Sequence, residues 1–150
     1  TLSSADLQEK LGKAEFTAVT SAQLPDGVTG NDIIAEEITR TANMVRGYVA
    51  GHASNVLGAG ITIPDELHDA ALVILRHKVF SRLPQMKRLL DENRVREYDG
   101  AISLLKDTAR GSFRVVPPET AAPQQVSGQS ITVVRNNPRR NTREKWGGTL

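Results

Sequence analysis

The chain contains no cysteine, which excludes disulfide scaffolds, thiolate zinc sites and cysteine nucleophiles. Aromatic residues are scarce: three Phe, two Tyr and one Trp among 150 residues. Few rings are therefore available as stacking platforms for bases. The longest purely apolar run, Ala70 to Leu75, is six residues, far short of the roughly 20 that span a bilayer. The opening TLSSADLQEK holds no basic-then-apolar leader. These absences predict a soluble, intracellular protein without a membrane partner. The apolar fraction of 39% is somewhat low for a globular chain, so part of it is expected to lie outside the packed domain.

What is present is charge, unevenly distributed. The formal net charge is +2, yet residues 1–75 hold four Lys/Arg against ten Asp/Glu, a balance of −6. Residues 76–116 carry +5 and residues 117–150 carry +3. Such asymmetry concerns partners more than fold. It predicts a body with an acidic front and a basic back.

Helical punctuation dominates the first 116 residues. Ser3, with Asp6 three residues on, can cap a short helix that buries Leu7 and Leu11 and stops at Gly12. Ala14 to Val19 is short and fits more than one element. Residues 20–31, TSAQLPDGVTGN, are turn chemistry. A long helix is predicted from about Asp32 to Ala50, with Ile34, Ile38, Ala42, Val45 and Val49 as its stripe. After a small-residue loop, Pro64 opens a third helix, the most buried, that Pro84 ends near Leu83. A fourth runs from about Glu92 to Arg110, with Val95, Tyr98, Ile102, Leu105 and Ala109 on one face and Gly111 as its cap. From Pro117-Pro118 onward the composition turns to Pro, Gln, Ser and Thr. Residues 117–150 read as an extended, basic C-terminal arm. Within it, Ile131 to Val134 has the character of a lone strand.

No catalytic set emerges. His68 and His77 are nine apart, on opposite sides of a helix, and no metal-ligand spacing links them to each other or to His52. Gly58-Ala59-Gly60 lacks the third glycine of a dinucleotide fingerprint, with Ile63 in its place. Glu36-Glu37 and Asp65-Glu66 read as solvated carboxylates at helix starts, with nothing basic beside them. The basic residues around the third-to-fourth helix junction, among them Arg82, Lys87 and Arg88, resemble a phosphate-binding footprint. Asp91, Glu92, Glu97 and Asp99 interrupt it, and no helix-turn-helix spacing accompanies it. The arm is the stronger clue to a partner. Ile131, Val133, Val134 and Arg135 suit an added strand, and Arg139, Arg140, Arg143, Lys145 and Trp146 suit a basic anchor.

In order and spacing, four segments resemble the Mu-like bacteriophage head–tail connector (neck, or head-completion) proteins. They are LSSADLQEKLG at the start; Ile38 and Val45 leading into RGYVAG at 46–51; IPDELHDAALVILRHKVFSR at 63–82; and REYDGAISLLKDTARGSFRV at 96–115. The resemblance covers about three quarters of the chain and leaves the arm outside the usual core. It implies a virion protein of the phage neck, made in the host bacterial cytoplasm, with no cofactor, metal or active site. Such proteins assemble as homo-oligomeric rings, commonly twelve-fold, beneath the portal. They extend the channel through which genomic DNA passes and present a surface to the next neck or tail-completion protein.

The fold class expected is all-α: a small four-helix adaptor bundle with a long central helix over residues 1–116, plus the arm over 117–150. A head-to-tail ring would set one subunit's acidic face, with Glu36 and Glu37, against its neighbour's Arg82, Lys87 and Arg88. The arm residues Ile131 to Arg135 and Arg139 to Trp146 would contact the portal. The alternative reading is a small DNA-binding or regulatory protein that uses the same basic tail.

Overall fold

Helix signals in the sequence become five α-helices and two 3-10 segments in a computed structural model that describes residues 1–116. They are α1 (Ser4–Leu11), α2 (Lys13–Thr20), α3 (Gly30–Ala50), α4 (His68–Arg82) and α5 (Glu92–Arg110). The 3-10 segments, Asp65–Leu67 and Pro84–Leu89, flank α4. The all-α class holds, and no strand occurs among the described residues. Among the described residues the α-helix count is five rather than four. Residues 14–19 belong to a helix of their own because Gly12, at φ 77°, breaks the chain between α1 and α2 where a side chain would be strained. The lone-strand reading of Ile131 to Val134 falls outside the described residues.

Local chemistry accounts for the ends of these helices. Ser3 closes a capping box: its hydroxyl accepts from the Asp6 N–H at 3.2 Å, and the Asp6 carboxylate accepts from the Ser3 N–H at 2.8 Å. Thr29 and Asp32 repeat the device at 3.3 and 2.9 Å. This starts α3 two residues earlier than the expected Asp32. At 21 residues, α3 is roughly 31 Å long. Its first residue, Gly30, has no room for a side chain, because a Cβ there would lie 1.8 Å from the Val19 carbonyl oxygen. That close approach lets α2 pack on the start of α3. The expected third helix begins later than Pro64: Pro64 precedes the 3-10 turn and α4 starts at His68.

α4 is the centre of the body. Nine of its fifteen residues are buried, including Leu72, Ile74, Leu75, Val79 and Phe80. A helix apolar on most of its circumference must be surrounded, and α1, α3 and α5 all pack against it. On α5 the inward residues are Ala101, Leu105 and Thr108. Val95, expected in that stripe, is 38% exposed, because the buried face begins nearer the middle of the helix.

The loop between α3 and α4 is held by side chains that periodicity did not single out. Arg46 donates from Nη1 to the carbonyls of Gly58 and Thr62, at 3.1 and 2.8 Å. Asn55 donates to the carbonyls of Val49 and Thr108, at 3.2 and 3.4 Å. The Arg46 bonds supply partners for two loop carbonyls, while the Val49 and Thr108 carbonyls also accept from the His52 and Gly111 N–H groups, so Asn55 ties the loop to the ends of α3 and α5.

Phe80→Ala is expected to cost about 3–5 kcal/mol of unfolding free energy, read from urea denaturation. Val95→Ala should stay within about 0.5 kcal/mol of the parent, as exposed positions do.

Candidate interaction surfaces

The charges that read as a dipolar pattern in the sequence meet one another in the fold. Glu37, in the second turn of α3, turns inward, and its side chain is only 4% exposed. A carboxylate so placed is costly without partners. Arg82, at the end of α4, supplies them: its Nη1 donates to Glu37 Oε1 at 2.9 Å and also to Glu36 Oε2. Arg40 adds contacts to Glu36 at 2.5 Å and to Glu37 at 3.5 Å. The Arg82 hydrogen bond holds the Glu36 carboxyl below its ordinary pKa. Reciprocally, Glu36 and then Glu37 raise the Arg82 guanidinium above its ordinary value. Glu36-Glu37 is therefore not a solvated pair without a basic neighbour: Arg40 stands at the helical spacing of a partner for both and was open to sequence reading, whereas Arg82, more than forty positions away, was not.

Other cations of the basic stretch are also engaged. Arg76, 92% buried by its 8% exposure, pairs with Glu97 of α5. Arg94 reaches Glu15 of α2 at 2.8 Å and lies 5.4 Å over the Phe80 ring, a cation–π distance. The pairs Arg82–Glu36, Arg82–Glu37 and Arg94–Glu15 join the acidic front to the basic back within one chain. Among the five residues expected at a subunit interface, Arg82, Glu36 and Glu37 are thus brought together inside the subunit. Lys87 and Arg88 are different: both are exposed on the second 3-10 segment, and no ion pair engages them among the described residues. The arm candidates Ile131, Val133, Val134, Arg135, Arg139, Arg140, Arg143, Lys145 and Trp146 lie outside the described residues.

A groove of about 550 Å³ opens between α4 and α5, over Ala70, Val73, Ala101 and Leu104. Its rim carries Glu66, Asp69 and Glu97, with Lys10 and Arg76 between them. A smaller recess of about 300 Å³, lined by Asp6, Glu9 and His68, shares Lys10 and Asp69 with it. Lys10 and Asp69 bridge the two at 2.5 Å. Sequence reasoning missed this feature, since its residues come from three helices with no common motif.

The three histidines occupy separate places. His52 Nδ1 lies 2.6 Å from the Ser54 hydroxyl, and His68 Nε2 lies 3.6 Å from Asp6 Oδ2. His77 stacks on Tyr98 with ring centroids 4.0 Å apart. No group of three or more His, Asp or Glu residues able to hold a metal ion occurs among the described residues. Partial burial lowers the His77 pKa from its ordinary 6.5, with Asp99 opposing the shift. The folded state therefore binds this proton less readily than the unfolded chain. Its contribution is fully present above pH 6.5 and is lost as pH falls from there through the lower folded value.

Melting temperature should accordingly decline below pH 6.5, and His77→Gln should flatten that limb of the profile. Arg82→Ala should destabilise the chain by about 2 kcal/mol, below the figure for a fully buried pair because the guanidinium is a third exposed. Glu36→Gln should cost much less, since Glu36 faces solvent; urea titrations of the two variants make the comparison.

No helix among the described residues is long and apolar enough to cross a membrane. Comparison with curated proteins and with solved structures finds no match. The family described as Bacteriophage Mu, Gp36 matches residues 2–134. That match continues past Val116 and takes in Ile131 to Val134, so the family pattern is not confined to the helical body as the first 116 residues suggested. Spanning nearly the whole sequence, it shows that the chain belongs to the bacteriophage Mu Gp36 family of phage structural proteins.

Proposed function

We propose that this protein is a head–tail connector of a tailed-phage neck, assembling as a homo-oligomeric, twelve-fold ring beneath the portal. The observation that carries the reading is the family match over residues 2–134. It joins an all-helical body to a trailing segment that ends in the β-branched run Ile131 to Val134. In this reading the ring lengthens the channel through which the genome passes and offers its far side to the next neck or tail-completion protein.

Lys87 and Arg88 are the cations such a subunit would present to a neighbour, because Arg82 is committed to Glu36 and Glu37 within its own chain. The arm supplies the portal contact, with Ile131, Val133, Val134 and Arg135 as an extended segment. Arg139, Arg140, Arg143, Lys145 and Trp146 then form a basic anchor. An added strand gains main-chain hydrogen bonds, and repetition around a ring multiplies a weak single contact.

Native mass measurement of the protein alone and with its phage's portal tests the reading. The expected outcome is a ring-sized species with the portal, lost when the chain stops before Pro117 and weakened by Lys87→Glu with Arg88→Glu. Unchanged docking by the shortened chain would remove the arm from the portal contact. Tight DNA binding by the isolated protein, falling steeply with salt, would favour a DNA-binding role over the connector.

A further inference from the structure

Three observations converge on the groove between α4 and α5. First, the chain leaves the helical body at its rim. After α5 the backbone turns at Gly111, Val115 is buried, and the Val116 N–H donates to Glu66 Oε1 at 3.1 Å. Second, carboxylates outnumber cations in the groove and its adjoining recess: Lys10 and Arg76 pair with Asp69 and Glu97, and Asp6, Glu9 and Glu66 pair with no Lys or Arg among the described residues. Third, the first cation after Val116 in the sequence is Arg135, which directly follows the apolar Ile131, Val133 and Val134 and precedes Arg139 and Arg140.

We propose that this groove seats residues 131–140 of its own chain. The apolar side chains rest over Ala70, Val73, Ala101 and Leu104, and the three arginines face the carboxylate rim. Fourteen residues separate Val116 from Ile131, a tether whose reach at full extension is about 50 Å, enough to bring Ile131 over the groove. The segment is therefore held near the groove at high effective concentration, which favours the chain's own arm over a second copy. The groove volume of about 550 Å³ lies in the range that takes up a small group of side chains. Attraction between exposed charges of this kind weakens with salt. The seat belongs to the isolated subunit and does not rest on the connector reading. A portal that binds the arm would have to draw these residues out of the groove.

The absence of native cysteine permits a direct test on the full-length chain. Gly100 lines the groove, and a Cβ there would meet no atom within 4 Å, so Gly100→Cys is tolerated. Combined with Val133→Cys and oxidised with diamide, it should form a disulfide within one chain, at a rate independent of protein concentration. Lys87→Cys with Val133→Cys is the comparison pair and should close at least about fivefold more slowly. Adding Arg135→Glu, Arg139→Glu and Arg140→Glu to the groove pair should slow closure about fivefold, the scale of a few exposed ion pairs. Equal rates for the two pairs would overturn the proposal. So would bridges that form only between chains and accelerate with concentration, an outcome that assigns the groove to a second copy. Because no portal is present, failure here leaves the connector reading standing.

Discussion

The burial of α4 is the constraint on which the rest of the body depends. A fifteen-residue helix with nine buried positions has little polar surface to offer water, so its neighbours must enclose it. α3, α5 and α1 all pack against it, α3 and α5 most extensively. Yet α4 also carries Arg76, which is buried, and Arg82, which is about two thirds buried. Their carboxylate partners come from the same helices that supply the apolar cover: Glu97 from α5, and Glu36 and Glu37 from α3. Enclosing the helix and pairing its charges are one packing solution.

That solution changes the meaning of the charge distribution. A separation into −6 and +5 along the sequence suggests two oppositely charged faces. Folding places α3 and α4 side by side, and the closest opposite charges neutralise one another across their interface. What stays available to partners includes exposed Lys87 and Arg88 on one 3-10 turn, exposed Lys106 and Arg114 at and beyond the end of α5, and the carboxylates around the α4–α5 groove. A family match that runs through residue 134 places the basic tail beyond it, so the body and the apolar part of the arm share one pattern.

Much of the architecture was legible because its signals are local. Ser3 with Asp6, Pro84 and Gly111 mark helix ends by chemistry confined to a few neighbouring residues. The apolar density of residues 70–75 announced the central helix for the same reason. Misreadings arose where a distant partner decided the outcome. Val95 has the right spacing for the α5 stripe, but the helix end on which it sits extends past the residues that bury Ala101 and Leu105. Glu37 looked solvated because nothing near it in sequence reveals Arg82. The groove was invisible, since Lys10, Asp69 and Glu97 become neighbours only when three helices meet.

By itself, the sequence determined the helical class, the ends of most helices, the identity of the buried helix and the absence of thiol chemistry. Each follows from residue type and short-range periodicity, which act before any tertiary contact forms. Tertiary structure alone decided which charges face one another, which remain exposed and where the chain emerges from the body. Those outcomes depend on distances between segments many tens of residues apart, and packing around α4 sets those distances.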